Sequence, residues 1–450
     1  MSGEVLAFFG TASWSLKKNP CATSTLCARN PAPAALRPLF TPIKKAMPKQ
    51  TIRDLDLAGK RVFVRVDFNV PLDEKDGQMV ITDATRIQET LPTIKFLIEK
   101  GAKIILASHL GRPKGKADPK QSLAPVAPAL SVLIGKPVAF ASDCIGEEAK
   151  TKALALGNGD VLLLENTRFH AGEEKNDATL AKGMADLAEI FVNDAFGSAH
   201  RAHSSTAGIA DYLPAVSGLL MEKELTWLHD ELENPERPFV VILGGAKVND
   251  KIGVINRLLE KADTIIIGGG MAYTFMKLVN GISIGKSLYK PEWEPIAQAA
   301  LDKAKERGVK LLIPVDSMIT DAFDFDAKKL GNTKFTSPGD SIPDGWEGVD
   351  IGPETVKLFS AEIAKAKTVI WNGPMGVFEI KESAKGTFDL AAAVAANSSA
   401  KTIIGGGDSV KAVKKANLGD KMTFISTGGG ASLELLEGKI LPGVACLKDK

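Results

Sequence analysis

Short apolar runs rich in β-branched residues recur from residue 51 onward, and they limit the chain to few folds. Segments with helical spacing separate them, at residues 85–100, 178–189 and 291–307. The runs are apolar at successive positions, which predicts strands buried on both faces and hence an α/β protein with parallel sheets. The runs are residues 62–66, 104–107, 161–164 and 190–192, then 239–243, 265–267, 311–315, 368–371, 402–404 and 422–426.

A helix predicted over residues 219–232 ends at two closely spaced prolines, Pro235 and Pro238. Prolines that follow a helix mark a break in the fold, so we place a domain boundary there. The prediction is two similar-sized three-layer domains with parallel sheets, residues 47–232 and 233–432, joined by a hinge. We expect the hinge region, residues 219–238, to help the two domains close on their ligands.

Residues 1–46 differ from the rest of the chain. They carry six basic residues and one acid, Glu4, and their apolar residues show no sustained periodicity. This composition is similar to that of an organellar transit peptide, and we expect the segment to be disordered. Met47 stands where the folded pattern begins, which favours a cytoplasmic protein that starts there. A plastid protein with a cleaved leader is the alternative.

The overall charge excludes several classes of partner. The chain has 56 lysines and arginines against 54 acids, for a net charge of +2, so we expect no nucleic-acid or membrane surface. The sequence contains no run of eighteen apolar residues, so we expect no transmembrane helix. Four cysteines are too few and too scattered in sequence to indicate a disulfide scaffold or a zinc site.

Charged and hydrogen-bonding side chains follow each predicted strand of the first half. In an open parallel sheet, ligands bind beyond the carboxyl ends of the strands. Arginine recurs there, and its planar guanidinium suits carboxylate and phosphate groups. This edge predicts a pocket for a small, multiply anionic ligand, with candidates Asp67, Asn69, His109, Arg112, Arg168 and Arg201.

Glycines occupy the same positions in the second half. Four turns, at residues 244–245, 268–270, 405–407 and 428–430, join a strand to a helix. Such turns let backbone N–H groups and helix N-termini approach phosphate oxygens, which predicts a nucleotide site. Lys247 and Lys251 add positive charge, and Asp408 is a candidate magnesium ligand. No Walker P-loop and no complete dinucleotide fingerprint are present.

An anion-binding half hinged to a nucleotide-binding half indicates phosphoryl transfer between ligands on facing domains. An NAD-dependent dehydrogenase is one alternative, against which stand the incomplete glycine fingerprint and the arginine-rich first half. A non-catalytic binding protein is the other. The presence of Arg86, Lys251 and Asp408 disfavours it, and ATP-dependent turnover separates all three hypotheses.

Eight sequence blocks, in order from about residue 50 to the C-terminus, closely resemble phosphoglycerate kinases. They are RVDFNVP (65–71), SHLGRP (108–113), ENTRF (165–169), AHRAHSS (199–205), LGGAKV (243–248), WNGPMGVFE (371–379), GGGDS (405–409) and STGGGAS (426–432). The resemblance implies the two-domain fold of that family. It also implies reversible magnesium-dependent transfer between 1,3-bisphosphoglycerate plus ADP and 3-phosphoglycerate plus ATP. We expect a monomer, because each half can bury its own sheet and the sequence shows no exposed apolar stripe.

The resemblance also implies roles for individual residues. The C-terminal segment, residues 433–450, would pack back on the first domain. The catalytic residues would be Arg86, Lys251 and Gly407. Phosphoglycerate would be held by Asp67, Asn69, Arg86, His109, Leu110, Gly111, Arg112, Arg168 and Arg201. The nucleotide would be held by Lys247, Lys251, Gly348, Glu379, Gly406, Gly407, Asp408 and Ser409, with Asp408 serving magnesium.

Overall fold

The computed structural model describes residues 48–450, and the predicted extension, residues 1–46, lies outside them. The first half contains a six-stranded parallel sheet in the order β5-β6-β4-β1-β7-β8, and β2 and β3 form a separate hairpin. The strands are β1 (Arg61–Arg65), β2 (Leu72–Lys75), β3 (Gln78–Ile81), β4 (Lys103–Ala107), β5 (Val138–Ala141), β6 (Val161–Leu164), β7 (Ile190–Asn193) and β8 (Ala215–Ser217). The helices are α1 (Thr85–Glu99), α2 (Val126–Ile134), α3 (Gly146–Leu154), α4 (Ala178–Ala185), α5 (Leu219–Leu225) and α6 (Glu231–Glu233).

The second half contains another six-stranded parallel sheet, in the order β11-β10-β9-β17-β18-β19. Its strands and those of the smaller sheets are β9 (Phe239–Leu243), β10 (Thr264–Ile267), β11 (Lys310–Leu312), β12 (Ser317–Thr320), β13 (Phe323–Asp324), β14 (Lys329–Leu330), β15 (Thr333–Phe335), β16 (Glu347–Ile351), β17 (Thr368–Asn372), β18 (Lys401–Gly405) and β19 (Phe424–Ile425). The helices are α7 (Ile252–Leu258), α8 (Ala272–Asn280), α9 (Glu294–Arg307), α10 (Pro353–Ile363), α11 (Lys385–Ala396), α12 (Gly407–Lys415), α13 (Gly430–Leu436) and α14 (Pro442–Ala445).

The central strands of both large sheets are buried on both faces, as their continuous apolar runs predict. In β1, Phe63 packs into one hydrophobic cluster, whereas Val62 and Val64 pack into another on the opposite face. In β9, Val241 and Val240 face opposite clusters in the same way. The α/β class with two parallel-sheet domains is therefore confirmed.

The small sheets were not predicted. An antiparallel sheet of β12, β15 and β16 follows β11, and β13 pairs with β14. All three residues of β15 are exposed, so the strand lacks the apolar run that marked the buried strands. The strand predicted over residues 311–315 ends at Leu312, where the chain leaves the large sheet.

The helix predicted over residues 219–232 is interrupted. It consists of α5, a π-helical turn at Thr226–Asp230 and the short α6. Single π-helical turns widen a helix locally and are frequent at functional sites. Trp227 of this turn stacks on Phe424 of β19, with ring centroids 5.7 Å apart and planes 11° apart.

The C-terminal residues contact the first half directly. The Gly443 N–H donates to the Ala199 carbonyl at 2.8 Å, and the Asn193 side chain donates to the Gly443 carbonyl at 2.8 Å. Lys49 forms an ion pair with Asp449 at 2.7 Å. Of the helices within residues 48–450, none is long and apolar enough to cross a membrane.

Candidate active site

The carboxyl ends of β6, β4, β1 and β7 lie side by side in the first sheet, so the loops that follow them meet. Asp67 lies two residues beyond β1, and its Oδ2 pairs with Nη1 of Arg86 at 2.5 Å. Arg86 is the second residue of α1, which places its guanidinium at the start of that helix. Burial by itself raises the pKa of Asp67. Interactions with His109, Arg86 and Arg65 outweigh this effect and keep that pKa below its ordinary value.

His109 is a neutral donor in this pocket. Arg65 Nη2 lies 3.1 Å from His109 Nδ1, and a guanidinium has no acceptor, so Nδ1 accepts and the proton resides on Nε2. Burial holds the pKa of His109 well below its ordinary value, and Arg65, Arg168 and Arg86 lower it further against the attraction of Asp67. The Nε2–H group is therefore free to donate to an anion without adding charge.

Arg65 was missing from the predicted site, although it opens one of the motif blocks. Its guanidinium is fully buried at the end of β1, and Nε donates to Ser205 Oγ at 2.8 Å. Ser205 Oγ donates in turn to Glu173 Oε1 at 2.5 Å, and Glu173 is itself fully buried. This relay fixes the guanidinium that orients His109. The signal available in the sequence was a charged residue within an apolar run.

The backbone after β4 is held by amide side chains from neighbouring strands. The Gly111 N–H donates to Asn69 Oδ1 at 2.9 Å, and the Leu110 N–H donates to Asn166 Oδ1 at 3.2 Å. Gly111 has φ +61°, and a Cβ there would lie 2.2 Å from the Gln121 side chain. The positive φ therefore favours glycine at this turn, and Asn69 holds the turn by accepting the hydrogen bond from its N–H group.

Three guanidinium groups cluster beside this turn. Arg168 is buried and donates from Nη1 to the Gly111 carbonyl at 2.8 Å. Burial lowers the pKa of Arg168, and the nearby charges of Arg201 and Arg112 lower it further against Glu174 and Glu173. Arg112 and Arg201 are exposed. Because these cations repel one another, an anion that binds among them relieves the repulsion.

The glycine turns of the second half fall into two groups. Some pack backbone against backbone: a Cβ on Gly244 would lie 2.0 Å from the Pro374 carbonyl oxygen, and one on Gly269 would lie 2.5 Å from the Gly245 nitrogen. By contrast, a Cβ on Gly407 or Gly429 would have no described atom within 4 Å. Only the open turns leave room for a phosphate. The sequence pattern did not distinguish the two groups.

Asn372, which is buried at the end of β17, contacts both Lys251 and the turn before α12. Lys251 Nζ donates to Asn372 Oδ1, and a Cβ on Gly406 would lie 3.1 Å from the same oxygen. Burial lowers the pKa of Lys251 to about 8, although Asp250, Glu437 and Asp408 raise it. Asn372 was not predicted as a site residue, although it lies in one of the motif blocks.

The remaining residues predicted for the nucleotide have varied surroundings. Asp408 is exposed at the start of α12 and pairs with Lys411 at 3.1 Å, whereas Ser409 is buried and accepts from the Gly373 N–H at 2.5 Å. Lys247 is exposed, and Glu379 is half-buried. Gly348 lies in β16 of the antiparallel sheet, apart from the glycine turns, and a Cβ there would lie 1.9 Å from the Tyr273 hydroxyl.

The two halves meet close to these groups. Lys414, near the end of α12, donates to Thr85 Oγ1 at 3.5 Å, next to Arg86. The buried Glu224 of α5 accepts hydrogen bonds from Ser426 Oγ at 2.7 Å and from the Thr427 N–H at 2.6 Å. The arginine cluster and the open glycine turn therefore belong to halves that are in contact.

A family model described as phosphoglycerate kinase matches residues 52–439. This match spans most of the 450-residue chain. The chain belongs to the phosphoglycerate kinase family.

Two solved structures agree with this assignment. A phosphoglycerate kinase from Coxiella burnetii is 43% identical, with a TM-score of 0.79 over 89% of this chain and 98% of its own. A phosphoglycerate kinase from Pyrococcus horikoshii OT3 is 32% identical, with a TM-score of 0.71 over 88% of this chain and 98% of its own. The predicted family and fold are confirmed, and the dehydrogenase alternative is set aside.

Proposed function

We propose that the arginine cluster of the first half binds the phosphoglycerate and that the open turn before α12 binds the nucleotide phosphates. Family membership gives the chain its reaction, the reversible transfer of a phosphoryl group between 1,3-bisphosphoglycerate plus ADP and 3-phosphoglycerate plus ATP. The observation that carries the assignment of sites is the proximity of Arg112 and Arg201 to Arg168, which also lies near His109.

On the phosphoglycerate side, the three clustered guanidiniums bind the substrate phosphate. The neutral His109 donates from Nε2, and the backbone at Leu110 and Gly111 is held in place by Asn166 and Asn69. Each charge-assisted hydrogen bond to an anion contributes roughly 1.5–3 kcal/mol. Asp67 positions Arg86 through their 2.5 Å ion pair, which leaves the arginine's other donors for the transferring group.

On the nucleotide side, Lys251, Lys247 and the residues 406–409 surround the phosphates. The backbone N–H of Gly407 lies at the N-terminus of α12, where the helix dipole favours negative charge. Glu379 is proposed to accept from the ribose hydroxyls. We also include Gly348, although its tight contact with Tyr273 already accounts for a glycine there.

Asp408 is the proposed magnesium ligand, and its surroundings fit that ion. Its carboxylate is 60% exposed at the first turn of α12, and Lys411 is its ion-pair partner. Mg²⁺ is usually bound by one or two carboxylates together with substrate phosphates and water, so a single aspartate suffices. When bound, the ion supplies positive charge that offsets the charge of the phosphates.

The reaction needs no general base. The acceptor is the carboxylate of 3-phosphoglycerate, which is ionised near neutral pH. The difficulty is the repulsion between this anion and the triphosphate, which Arg86 and Lys251 reduce by holding positive charge where the ligands meet. Water must also be excluded, since otherwise ATP would be hydrolysed.

The remaining proposals concern organisation and location. Residues 47–232 form the phosphoglycerate domain, residues 233–432 the nucleotide domain, and residues 433–450 a segment that packs back on the first, in keeping with the Gly443 contacts. We propose that the protein is a monomer, and light scattering on the protein as it elutes from a size-exclusion column tests this.

The proposed compartment is the cytoplasm, with a plastid as the alternative. Microscopy of the full chain fused to a fluorescent protein distinguishes the two compartments.

The activity is tested with the full chain, 3-phosphoglycerate, ATP and magnesium, by coupling acyl-phosphate formation to oxidation of NADH. We expect turnover that requires all three components, and no ATP hydrolysis when 3-phosphoglycerate is omitted. An Arg168→Ala variant should lose most of its affinity for 3-phosphoglycerate but keep that for ATP. Equal losses for both ligands would contradict the assignment of this cluster to the phosphoglycerate.

A further inference from the structure

A second cluster of chemically active side chains lies outside the proposed cleft. Asp143, Cys144 and His170 offer a carboxylate oxygen, a thiol sulfur and an imidazole nitrogen, and these atoms all lie within 4.8 Å of one another. His170 Nε2 is already 2.6 Å from Asp143 Oδ1. The mechanism described above uses none of the three.

The fold of the first sheet brings these residues together. Asp143 and Cys144 follow β5, and His170 follows the 3₁₀ turn Thr167–Phe169 beyond β6. Because β5 and β6 are adjacent and parallel, their carboxyl ends lie side by side. The cluster forms where two loops meet, and His170 lies 27 positions after Asp143, which is why cysteine spacing alone gave no sign of it.

The cluster is closed on one side and open on the other. Cys144 is only 1% exposed, whereas the side chains of Asp143 and His170 are 47% and 30% exposed. The hydrogen bonds that Asp143 accepts from His170 and from the N–H groups of Cys144 and Ile145 all use Oδ1. Within the described chain, Oδ2 is thus available to an ion that enters from solvent.

The donor set selects the kind of ion. A thiolate, an imidazole and a carboxylate are the three ligand types that zinc takes in proteins, whereas Mg²⁺ and Ca²⁺ prefer oxygen alone. One thiolate and one carboxylate also balance the charge of a divalent cation. We propose that Asp143, Cys144 and His170 form a Zn²⁺ site, with a water molecule in the fourth position.

The same residues are poorly suited to nucleophilic chemistry. Burial raises the pKa of the Cys144 thiol well above its ordinary value, and the nearby carboxylates of Asp143 and Glu173 raise it further. A buried thiol of this kind is unreactive by itself. A bound zinc ion, by contrast, deprotonates its thiol ligand outright.

Binding releases one proton and transfers no electron. The Cys144 thiol gives its proton to solvent as the zinc–sulfur bond forms. The imidazole proton of His170 moves from Nε2 to Nδ1, and the hydrogen bond to Asp143 is replaced by bonds from both residues to the ion. With zinc–ligand bonds of about 2.0–2.3 Å, neighbouring ligand atoms must come within roughly 3–4 Å of each other. Rotation of the two partly exposed side chains provides this movement.

Zinc at this place would tie two loops of the phosphoglycerate domain together. His170 lies two residues after Arg168, so an ion bound to it limits the motion of the turn that carries the buried arginine. We therefore expect the ion to stabilise the first domain. Binding itself requires neither substrate, so it can be tested separately from the kinase reaction.

The test uses Co²⁺ as a spectroscopic stand-in for zinc on the full chain after removal of metal by a chelator. A thiolate bound to Co²⁺ gives a charge-transfer band in the near ultraviolet. We expect this band to saturate at one Co²⁺ per chain, to persist in excess Mg²⁺ and to disappear when Zn²⁺ is added. Because a proton is released, the affinity should rise with pH.

Variants assign the band to its ligands. Cys144→Ala should abolish it, and His170→Gln should weaken Co²⁺ affinity at least tenfold. His170 is partly exposed, so its substitution is not expected to prevent folding even if the loss of Cys144 does. Cys446→Ala and the double change Cys21→Ser/Cys27→Ser are matched controls that should keep the band. Absence of a stoichiometric band, or its survival in both Cys144→Ala and His170→Gln, would overturn the proposal.

Discussion

Arg86 is the residue on which the proposed chemistry depends most, since it combines partial exposure with a fixed position. Its side chain is 40% exposed, yet the ion pair with Asp67 holds it at the start of α1. An arginine tied down in this way loses little conformational entropy when a ligand binds, because its side chain is already ordered.

Arg86→Ala should therefore lower kcat by about 10- to 150-fold, the equivalent of roughly 1.5–3 kcal/mol, with a smaller change in KM. Steady-state kinetics with both substrates varied provides the measurement. Arg307→Ala, an exposed arginine at the end of α9, is the matched control and should leave both constants unchanged. A rise in KM with kcat intact would indicate that Arg86 binds substrate and transition state equally.

Lys251 predicts a pH effect on the free enzyme. Burial lowers the pKa of this lysine to about 8, so its charge is present below that pH and is lost above it. We expect kcat/KM for ATP to fall as the pH rises through about 8, because the neutral amine no longer attracts the phosphates. Lys251→Arg should remove this decline, while the exposed Lys247→Arg should retain it. A flat profile in the unchanged protein up to pH 10 would contradict the role of Lys251.

The glycine turns that join strands to helices look alike in the sequence, but glycine is needed in them for different structural reasons. Gly244 lies against the Pro374 carbonyl, whereas Gly407 faces open space at the start of α12. The first position needs glycine for packing within the protein. The second is free for a ligand.

Substitution by alanine should separate the two kinds of turn. Gly244→Ala should destabilise the protein by about 3 kcal/mol or more, because the new Cβ would meet backbone that cannot move away. Gly407→Ala should change the free energy of unfolding by less than about 0.5 kcal/mol, yet raise KM for ATP. Urea unfolding and initial rates measure the two effects. Equal stabilities of the two variants would show that the close contact at Gly244 is not rigid.

Glu224 of α5 is hydrogen-bonded to the segment after β19, and its burial predicts that the free energy of unfolding depends on pH. Burial raises the pKa of Glu224 from 4.5 to about 7, although Ser426 and Thr427 lower it by donating hydrogen bonds. Between these two values the unfolded chain releases the proton and the native protein retains it. Stability should thus be fully present below pH 4.5 and fall as the pH rises to about 7, by an amount on the order of 3 kcal/mol.

Glu224→Gln should flatten this dependence, because the amide does not titrate. Urea unfolding at pH 5 and at pH 7.5 is the measurement, and the difference between the two pH values is compared with that of the unchanged protein. Glu222→Gln, on the same helix but partly exposed beside Arg53, is the control and should preserve the slope. An identical slope in Glu224→Gln would assign the pH dependence to other groups.

At the scale of the whole molecule, one continuous hydrophobic cluster extends through both halves. It includes Phe63 of β1 and Phe239 of β9, and the π-helical turn lies within the same region. The contact between the halves therefore combines apolar packing with the buried carboxylate of Glu224. We expect such an interface to allow rotation about the turn without separation of the two halves.

We predict that 3-phosphoglycerate and ATP together make the molecule more compact, and that either ligand alone has a smaller effect. Small-angle scattering of the full chain measures the radius of gyration in each state. Trp227→Ala, which removes the stacking on Phe424, should reduce the change. No compaction with both ligands bound would rule out closure by the region of residues 219–238.

Sequence patterns alone predicted the class of fold, four of the six strands of the first sheet and all six of the second, but they missed β5 and β8. This succeeded because a strand buried on both faces is apolar at successive positions, as in β9 and in the central residues Val62, Phe63 and Val64 of β1. Local composition also assigned a different ligand to each half. Arginines predicted an anion pocket in the first half, and glycine turns predicted a nucleotide site in the second. Motif blocks then identified the family, which the comparison confirmed.

Tertiary structure alone decided how the side chains act on one another. Arg65 lies within a motif, but its distance to His109 depends on the pairing of β1 with β4, which no local pattern encodes. The exposed β15 and the interruption after α5 were likewise missed, because neither leaves an apolar period to detect. Asp143 and His170 meet only because β5 and β6 are neighbours, and a contact between distant segments is a property of the folded chain.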